Sequence, residues 1–104
     1  MIDALKTMLG MGPSVDLSEL VKGGAVILDV RTKGEYAGGH VKGSVNIPLN
    51  VLSSQMDRFK KDQAIITCCA SGMRSGSAKG LLKDAGFTNV HNGGPWTNVA
   101  QYKK

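Results

Sequence analysis

The chain has 104 residues, of which 41% are hydrophobic, and a formal net charge of +5 at pH 7. This length suits one compact domain spanning residues 1–104, and the hydrophobic content argues against a disordered chain. The sequence has no apolar stretch approaching the roughly 18 residues of a transmembrane helix, so no membrane association is expected.

The first predicted element is a short amphipathic helix within residues 1–10. Its apolar residues have helical spacing and are Ile2, Leu5, Met8 and Leu9. Asp3 and Lys6 interrupt this run, so it lacks the basic-then-apolar order of a secretory signal. We therefore expect a cytoplasmic protein, although a mature chain that had lost its signal and gained a new Met would look the same.

Apolar runs of strand length then alternate with helical segments. The predicted strands are residues 25–30, 44–48, 64–68 and 88–91. The predicted helical segments are 16–21 (capped by Asp16 or Ser18), a turn or loop at 32–39, helices 49–59 and 75–85, and a last helix carrying Trp96, Val99 and Tyr102. This alternation predicts an α/β domain whose central, mostly parallel sheet of four to five strands has helices on both faces.

The segment after the third predicted strand carries the reactive groups. Cys68 and Cys69 precede a short loop containing Gly72, then Arg74, and a helix is expected to begin near Ser75. Loop amides can form an anion-binding nest, and the positive end of the helix dipole points at the same place. Together with the charge of Arg74, these groups favour a thiolate, which is the working nucleophile. The competing interpretation is a small buried hydrophobic residue.

Three motifs in this order resemble the rhodanese-like sulfurtransferase family, over about residues 15–102. They are Leu28-Asp29-Val30-Arg31, then Gly39-His40-Val41-Lys42-Gly43-Ser44-Val45-Asn46-Ile47-Pro48, then Cys69-Ala70-Ser71-Gly72-Met73-Arg74-Ser75. A closing Gly93-Gly94 turn followed by Trp96 is also similar to the family. The resemblance implies a single rhodanese-like domain.

The resemblance also implies a thiosulfate sulfurtransferase mechanism. Cys69 would take sulfur from a small anionic donor such as thiosulfate and hold it as a persulfide. Cyanide, a thiol or a partner protein in a sulfur relay would accept it. The implied substrate-binding residues are Ala70, Ser71, Gly72, Met73, Arg74 and Ser75. No cofactor or metal is expected, because two adjacent cysteines and two distant histidines make a poor zinc set.

Three further residues are expected to support the cysteine loop. Asp29 and Arg31 follow a buried strand, where they form either a salt bridge between loops or a polar network under the cysteine. His40 is either a hydrogen-bonded loop histidine or a proton shuttle. The sequence leaves the role of His91 open.

Two other functions remain open at this point. Five residues separate Cys68 from Arg74, the spacing of phosphatases that share this fold, whereas four separate Cys69 from Arg74. An intact cysteine loop would equally suit a non-enzymatic persulfide carrier. We expect Cys68 to pack beside the sheet as an inert thiol. A nucleic-acid partner is not expected, because the lysines form only short pairs without interleaved aromatic residues.

Overall fold

A computed structural model describes residues 16–103. The helix predicted within residues 1–10 lies outside the described residues. The elements are α1 (Leu17–Lys22), β1 (Val26–Asp29), α2 (Lys33–Ala37), β2 (Val45–Asn46), two 3-10 segments (Leu49–Ser54 and Met56–Arg58), β3 (Ile65–Cys69), α3 (Met73–Asp84), β4 (Val90–Pro95) and α4 (Trp96–Ala100). Within 16–103, none of the helices combines the length and the apolar character needed to cross a membrane.

The four strands form one parallel sheet in the order β2-β1-β3-β4. Asp29, the last residue of β1, lies opposite Cys68 of β3. The carboxyl ends of these two central strands therefore meet at one edge of the sheet, which is where ligands bind in parallel α/β folds. The predicted α/β architecture is confirmed.

Two hydrophobic cores cover the two faces of the sheet. The first includes Leu28, Ile65, Cys69 and Leu82, and is covered by α3 and the 3-10 segments. The second contains Ile27, Val41, Ile66, Cys68 and Val99, and is covered by α1 and α4. Successive strand residues point to opposite faces, so the adjacent cysteines belong to different cores.

The prediction of one continuous helix over residues 49–59 is wrong in the type of helix. The chain forms two 3-10 segments that are separated at Gln55. No side chain caps the first segment, and Ser54 Oγ donates to the carbonyl of Val51 at 2.8 Å. Serine side chains that bond nearby backbone groups compete with α-helix formation. The predicted apolar face nevertheless packs on the first core through Leu52, Met56 and Phe59.

Three predicted boundaries around the site also differ. β3 extends through Cys69, and α3 begins at Met73, so Arg74 lies in the first turn of the helix and not in the loop. β4 runs on to Pro95, so the Gly93-Gly94 pair is part of an irregular strand. At Gly93 a Cβ atom would lie 2.5 Å from a methyl carbon of Val99, so the close packing of α4 on β4 requires glycine there.

Candidate active site

Cys69 lies at the carboxyl end of β3, and the chain turns back over it. The backbone N–H of Gly72 donates to Cys69 Sγ at 3.0 Å, and that of Ser75 donates at 3.4 Å. Gly72 has φ 105°, in the left-handed region that glycine adopts without strain, and it is the N-cap of α3. The sulfur therefore lies at the positive end of a 12-residue helix.

These contacts favour the ionised form of Cys69. Burial raises the pKa of this thiol, since the side chain is fully covered. The hydrogen bond with the Ser75 side chain and those from the amides of Ser75, Gly72 and Ser71 act in the other direction. The net result is a pKa below the ordinary value, because the hydrogen bonds to the charged form outweigh its desolvation.

Ser75 links the cysteine to Asn92, a residue that sequence reasoning missed. The thiol of Cys69 donates to Ser75 Oγ at 3.4 Å, and Ser75 Oγ lies 2.6 Å from Asn92 Oδ1. Asn92 also donates from Nδ2 to the carbonyl of Gly72 at 3.2 Å and accepts the Gly94 N–H at 2.9 Å. It therefore ties the cysteine loop and α3 to β4. An asparagine before two glycines is typical of an ordinary turn, so the sequence carried no signal for this role.

Replacing Asn92 with alanine is expected to raise the pKa of Cys69. The substitution removes the side chain that anchors Gly72 and Ser75, whose backbone amides favour the thiolate, and costs roughly 1–2 kcal/mol of stability. The measurement is the pH dependence of Cys69 alkylation in a Cys68→Ser background, with Asn89→Ala as the control. An alkylation profile that does not move in Asn92→Ala would make the residue purely structural.

Asp29 and Arg31 form the salt bridge that was one of the two predictions for them. Arg31 Nη2 and Nε donate to the Asp29 carboxylate at 2.8 and 3.0 Å, and both residues are buried. Arg31 also donates to the carbonyls of Gly39 at 2.7 Å and Glu35 at 3.3 Å. Its guanidinium lies 4.9 Å from the centre of the Trp96 ring. The pair thus joins the end of β1 to α2 and α4, and its contribution to chemistry stays a prediction.

Arg74 has a partner that the sequence analysis did not identify. Its Nη1 and Nη2 donate to the two carboxylate oxygens of Glu35 at 2.7 and 2.9 Å. The side-chain hydrogen bond from Arg74 is the main cause that lowers the pKa of Glu35 to about 2. A capping box with Thr32 holds Glu35 in the first turn of α2. The charge of Arg74 is therefore shared with this carboxylate and is not free to act on Cys69 alone.

Of the remaining predicted loop residues, Ala70, Ser71 and Met73 are exposed. Met73 is 81% exposed. Ser71 Oγ accepts the N–H of Met73 at 3.4 Å and so helps to begin α3. These three residues are available to contact a substrate, and their binding role stays a prediction.

The two histidines lie outside this arrangement. His40 Nδ1 is 2.8 Å from the carbonyl of Tyr36, and the His40 and Tyr36 rings stack with their centres 3.8 Å apart. The prediction of a hydrogen-bonded loop histidine is confirmed. His91 does not end β4 as expected: it is the second residue of the strand, opposite Ile66, and its Nε2 lies 2.6 Å from Asn89 Oδ1.

Cys68 lies in a different environment from Cys69, although both side chains are fully covered. Its side chain is fully buried in the second core, on the other face of the sheet from Cys69. Burial raises the pKa of the Cys68 thiol to about 12, and the charge of Asp29 adds to the effect. The expected packing of Cys68 beside the sheet is confirmed, and its inertness stays a prediction.

Comparison with known proteins points to one family. The family model described as "Rhodanese-like domain" matches residues 14–94. The uncharacterized protein YqhL of Bacillus subtilis is 35% identical over 68 residues, which cover 65% of this chain and 54% of that protein. The thiosulfate sulfurtransferase PspE of Escherichia coli is 33% identical over 78 residues, which cover 73% of this chain and 75% of that protein.

A solved structure gives the same result for the fold. The E. coli structure described as a rhodanese with anions is 31% identical and superposes with a TM-score of 0.63. The match covers 73% of this chain and 92% of that one. The chain thus spans nearly the whole of this solved domain, about half of YqhL and three quarters of PspE.

Proposed function

The chain belongs to the rhodanese-like domain family, and we propose that it is a sulfurtransferase that works through a persulfide on Cys69. The donor is thiosulfate or a similar small anion, and the acceptor is cyanide or a thiol. We further propose that residues 1–104 act as a single domain. The observation that carries the proposal is the pair of amides, from Gly72 and Ser75, that point at Cys69 Sγ at the start of α3.

In the first half-reaction the Cys69 thiolate attacks the outer sulfur of thiosulfate. A new S–S bond forms, the S–S bond of thiosulfate breaks, and sulfite leaves with the bonding electron pair. Cys69 then carries a persulfide anion. The amides of Gly72 and Ser75 stabilise the negative charge on Cys69 Sγ before the step, which is the preorganised-dipole effect of an oxyanion hole.

In the second half-reaction a nucleophile takes the outer sulfur. Cyanide or a thiolate attacks it, the persulfide S–S bond breaks, and the electron pair returns to Cys69 as the thiolate. The products are thiocyanate or the persulfide of the acceptor. The two half-reactions together are ping-pong covalent catalysis, and neither requires a general acid.

The phosphatase alternative receives no support from the position of Cys68. That register would make Cys68 the nucleophile, but its thiol lies in the second core and burial raises its pKa to about 12. A thiol with such a pKa is protonated and unreactive at neutral pH. The geometry around Cys69 supports sulfur transfer instead.

The test is an intact mass spectrum after incubation with thiosulfate, followed by an assay of thiocyanate after cyanide is added. We expect a gain of one sulfur atom, its loss on adding cyanide, and continuous thiocyanate production when both substrates are present. A mass gain without turnover would indicate a persulfide carrier. No mass gain, with hydrolysis of a phosphate ester, would contradict the proposal.

A further inference from the structure

Thr67 places a buried hydroxyl in an otherwise apolar part of β3. The residue is fully covered, and its neighbours Ile65 and Ile66 belong to the two hydrophobic cores. Burying a hydroxyl costs free energy unless it makes a hydrogen bond. Ile65 and Cys69 both face the first core, so alternation along the strand directs Thr67 to the same side, beneath α3. The hydroxyl therefore needs a polar partner on that side of the sheet.

The partner is the backbone of Ser75. Thr67 Oγ1 donates to the carbonyl of Ser75 at 2.8 Å, whereas the carbonyl of His91 lies 3.4 Å away. The hydroxyl has one proton to donate, and the shorter distance is the ordinary one for an O–H donor. The proton therefore belongs to the bond with Ser75, which joins the middle of β3 to the first turn of α3.

Ser75 carries two of the groups that contact the cysteine. Its backbone N–H lies 3.4 Å from Cys69 Sγ, and its Oγ also lies 3.4 Å from that sulfur. Asn92, which is the partner of Thr67 in the register of β3 and β4, contacts Ser75 Oγ at 2.6 Å. Two cross-strand neighbours thus hold one residue: Thr67 binds its main chain and Asn92 binds its side chain.

The bond from Thr67 also reaches the second amide that contacts the sulfur. The carbonyl of Ser75 belongs to the same peptide group as the N–H of Gly76, which donates to the carbonyl of Gly72 at 3.0 Å. The N–H of Gly72 donates to Cys69 Sγ at 3.0 Å. Hydrogen bonds linked in this way polarise and strengthen one another. Both amide donors to the cysteine are therefore tied, through α3, to the hydroxyl of Thr67.

We propose that Thr67 is a positioning residue for sulfur transfer, whose hydroxyl sets the place of the Ser75 amide and hydroxyl beside Cys69 Sγ. The inference rests on the proposed function, in which these groups favour the attacking thiolate. A branched side chain has little freedom at χ1, so threonine aims its hydroxyl in a fixed direction. Valine would put a methyl group there, and because carbon and oxygen approach only to roughly 3.3–3.6 Å, the Ser75 carbonyl would retreat by roughly 0.5 Å.

The test uses two pairs of side chains, each with one member that has the hydroxyl and one that lacks it. The pairs are wild type with Thr67→Val, and Thr67→Ser with Thr67→Ala, all in a Cys68→Ala background so that alkylation reports Cys69. In each pair we expect the member without the hydroxyl to have the higher pKa at Cys69, by roughly 0.5–1 unit for Thr67→Val, because the bonds to the thiolate weaken. Below these pKa values its alkylation should slow by about three- to tenfold, with an unchanged plateau at high pH.

Stability should follow a different order from the pKa. Thr67→Ser loses a buried methyl group, so its thermal unfolding midpoint should fall while its alkylation profile stays near that of the wild type. Thr67→Val keeps the volume of the side chain but should show the raised pKa. Coincident profiles for wild type and Thr67→Val, or an equal rise in Thr67→Ser and Thr67→Val, would overturn the proposal. If Thr67→Val does not fold, the Ser and Ala variants decide it by the same comparison.

Thr88→Val is the matched control. Thr88 Oγ1 also donates to a backbone carbonyl, that of Lys61 at 3.3 Å, but this exposed residue makes no hydrogen bond to Ser75 or Cys69 within residues 16–103, so the alkylation profile should not move. Arg74 and Glu35 are present in every variant, so the effect of their charges on Cys69 cancels from each comparison.

The alkylation measurement keeps this inference distinct from the proposed function, since it needs no persulfide. A profile that moves in Thr67→Val, in a chain whose Cys69 is never loaded by thiosulfate, would refute the proposed function and leave the effect of Thr67 on the thiolate standing. If loading occurs, kcat/KM for thiosulfate should fall in Thr67→Val by about the same factor as alkylation at the same pH. An unchanged kcat/KM would overturn the role of Thr67 in sulfur transfer.

Discussion

Replacing Cys69 with serine is expected to abolish both persulfide formation and thiocyanate production. A serine hydroxyl is not ionised near neutral pH, and it cannot hold sulfur in a bond of persulfide type, so activity should fall to the background rate. The measurements are the thiocyanate assay and the mass spectrum after incubation with thiosulfate. Because a hydroxyl can replace the thiol in the contacts to Gly72 and Ser75, the variant should remain folded.

The matched control is Cys68→Ser. Here the hydroxyl is buried in the second core, so we expect a loss of roughly 1–3 kcal/mol in the free energy of unfolding but no loss of turnover. Cys68→Ala gives the same comparison without burying a polar group. Peptide mapping of the loaded wild-type chain should place the extra sulfur on Cys69. Sulfur found on Cys68, or an active Cys69→Ser variant, would contradict the proposed mechanism.

The sequence predicted the fold well because its strongest signals are local and physical. The runs that became β1 and β3 are mostly apolar on both faces, which is typical of strands in a parallel sheet between two helical layers. Alternation along β3 then places Cys68 and Cys69 in different cores. Strand geometry therefore distinguishes Cys69, the candidate nucleophile, from Cys68, which packs in the other core.

The sequence did not reveal the contacts between segments that are distant along the chain. Glu35 meets Arg74 across 39 positions, and Asn92 meets Ser75 across 17. No periodicity records such a pairing, and each residue has an ordinary local explanation: Glu35 completes a capping box, and Asn92 precedes a turn-like glycine pair. The boundary of α3 was missed because the left-handed Gly72 begins the helix two residues early.

The pairing of Arg74 with Glu35 changes what is expected from mutating either residue. Arg74→Ala should lower kcat/KM for thiosulfate by about tenfold, mainly through KM, because a charge-assisted contact to the donor is lost. Arg74→Lys should recover only part of this, since lysine lacks the planar fork that binds two oxygens. Both variants are compared by steady-state kinetics with thiosulfate as the varied substrate.

Glu35→Gln separates the charge of Arg74 from its position. The pKa of Glu35 is lowered to about 2, so this carboxylate is ionised throughout the assay range and competes with the donor anion for the guanidinium. The amide keeps one acceptor oxygen for Arg74 but removes the negative charge, so KM for thiosulfate should fall below the wild-type value. If Glu35→Gln instead raises KM as much as Arg74→Ala does, the ion pair acts by holding α2 against α3. Unchanged kinetics in Arg74→Ala would assign the arginine to the surface.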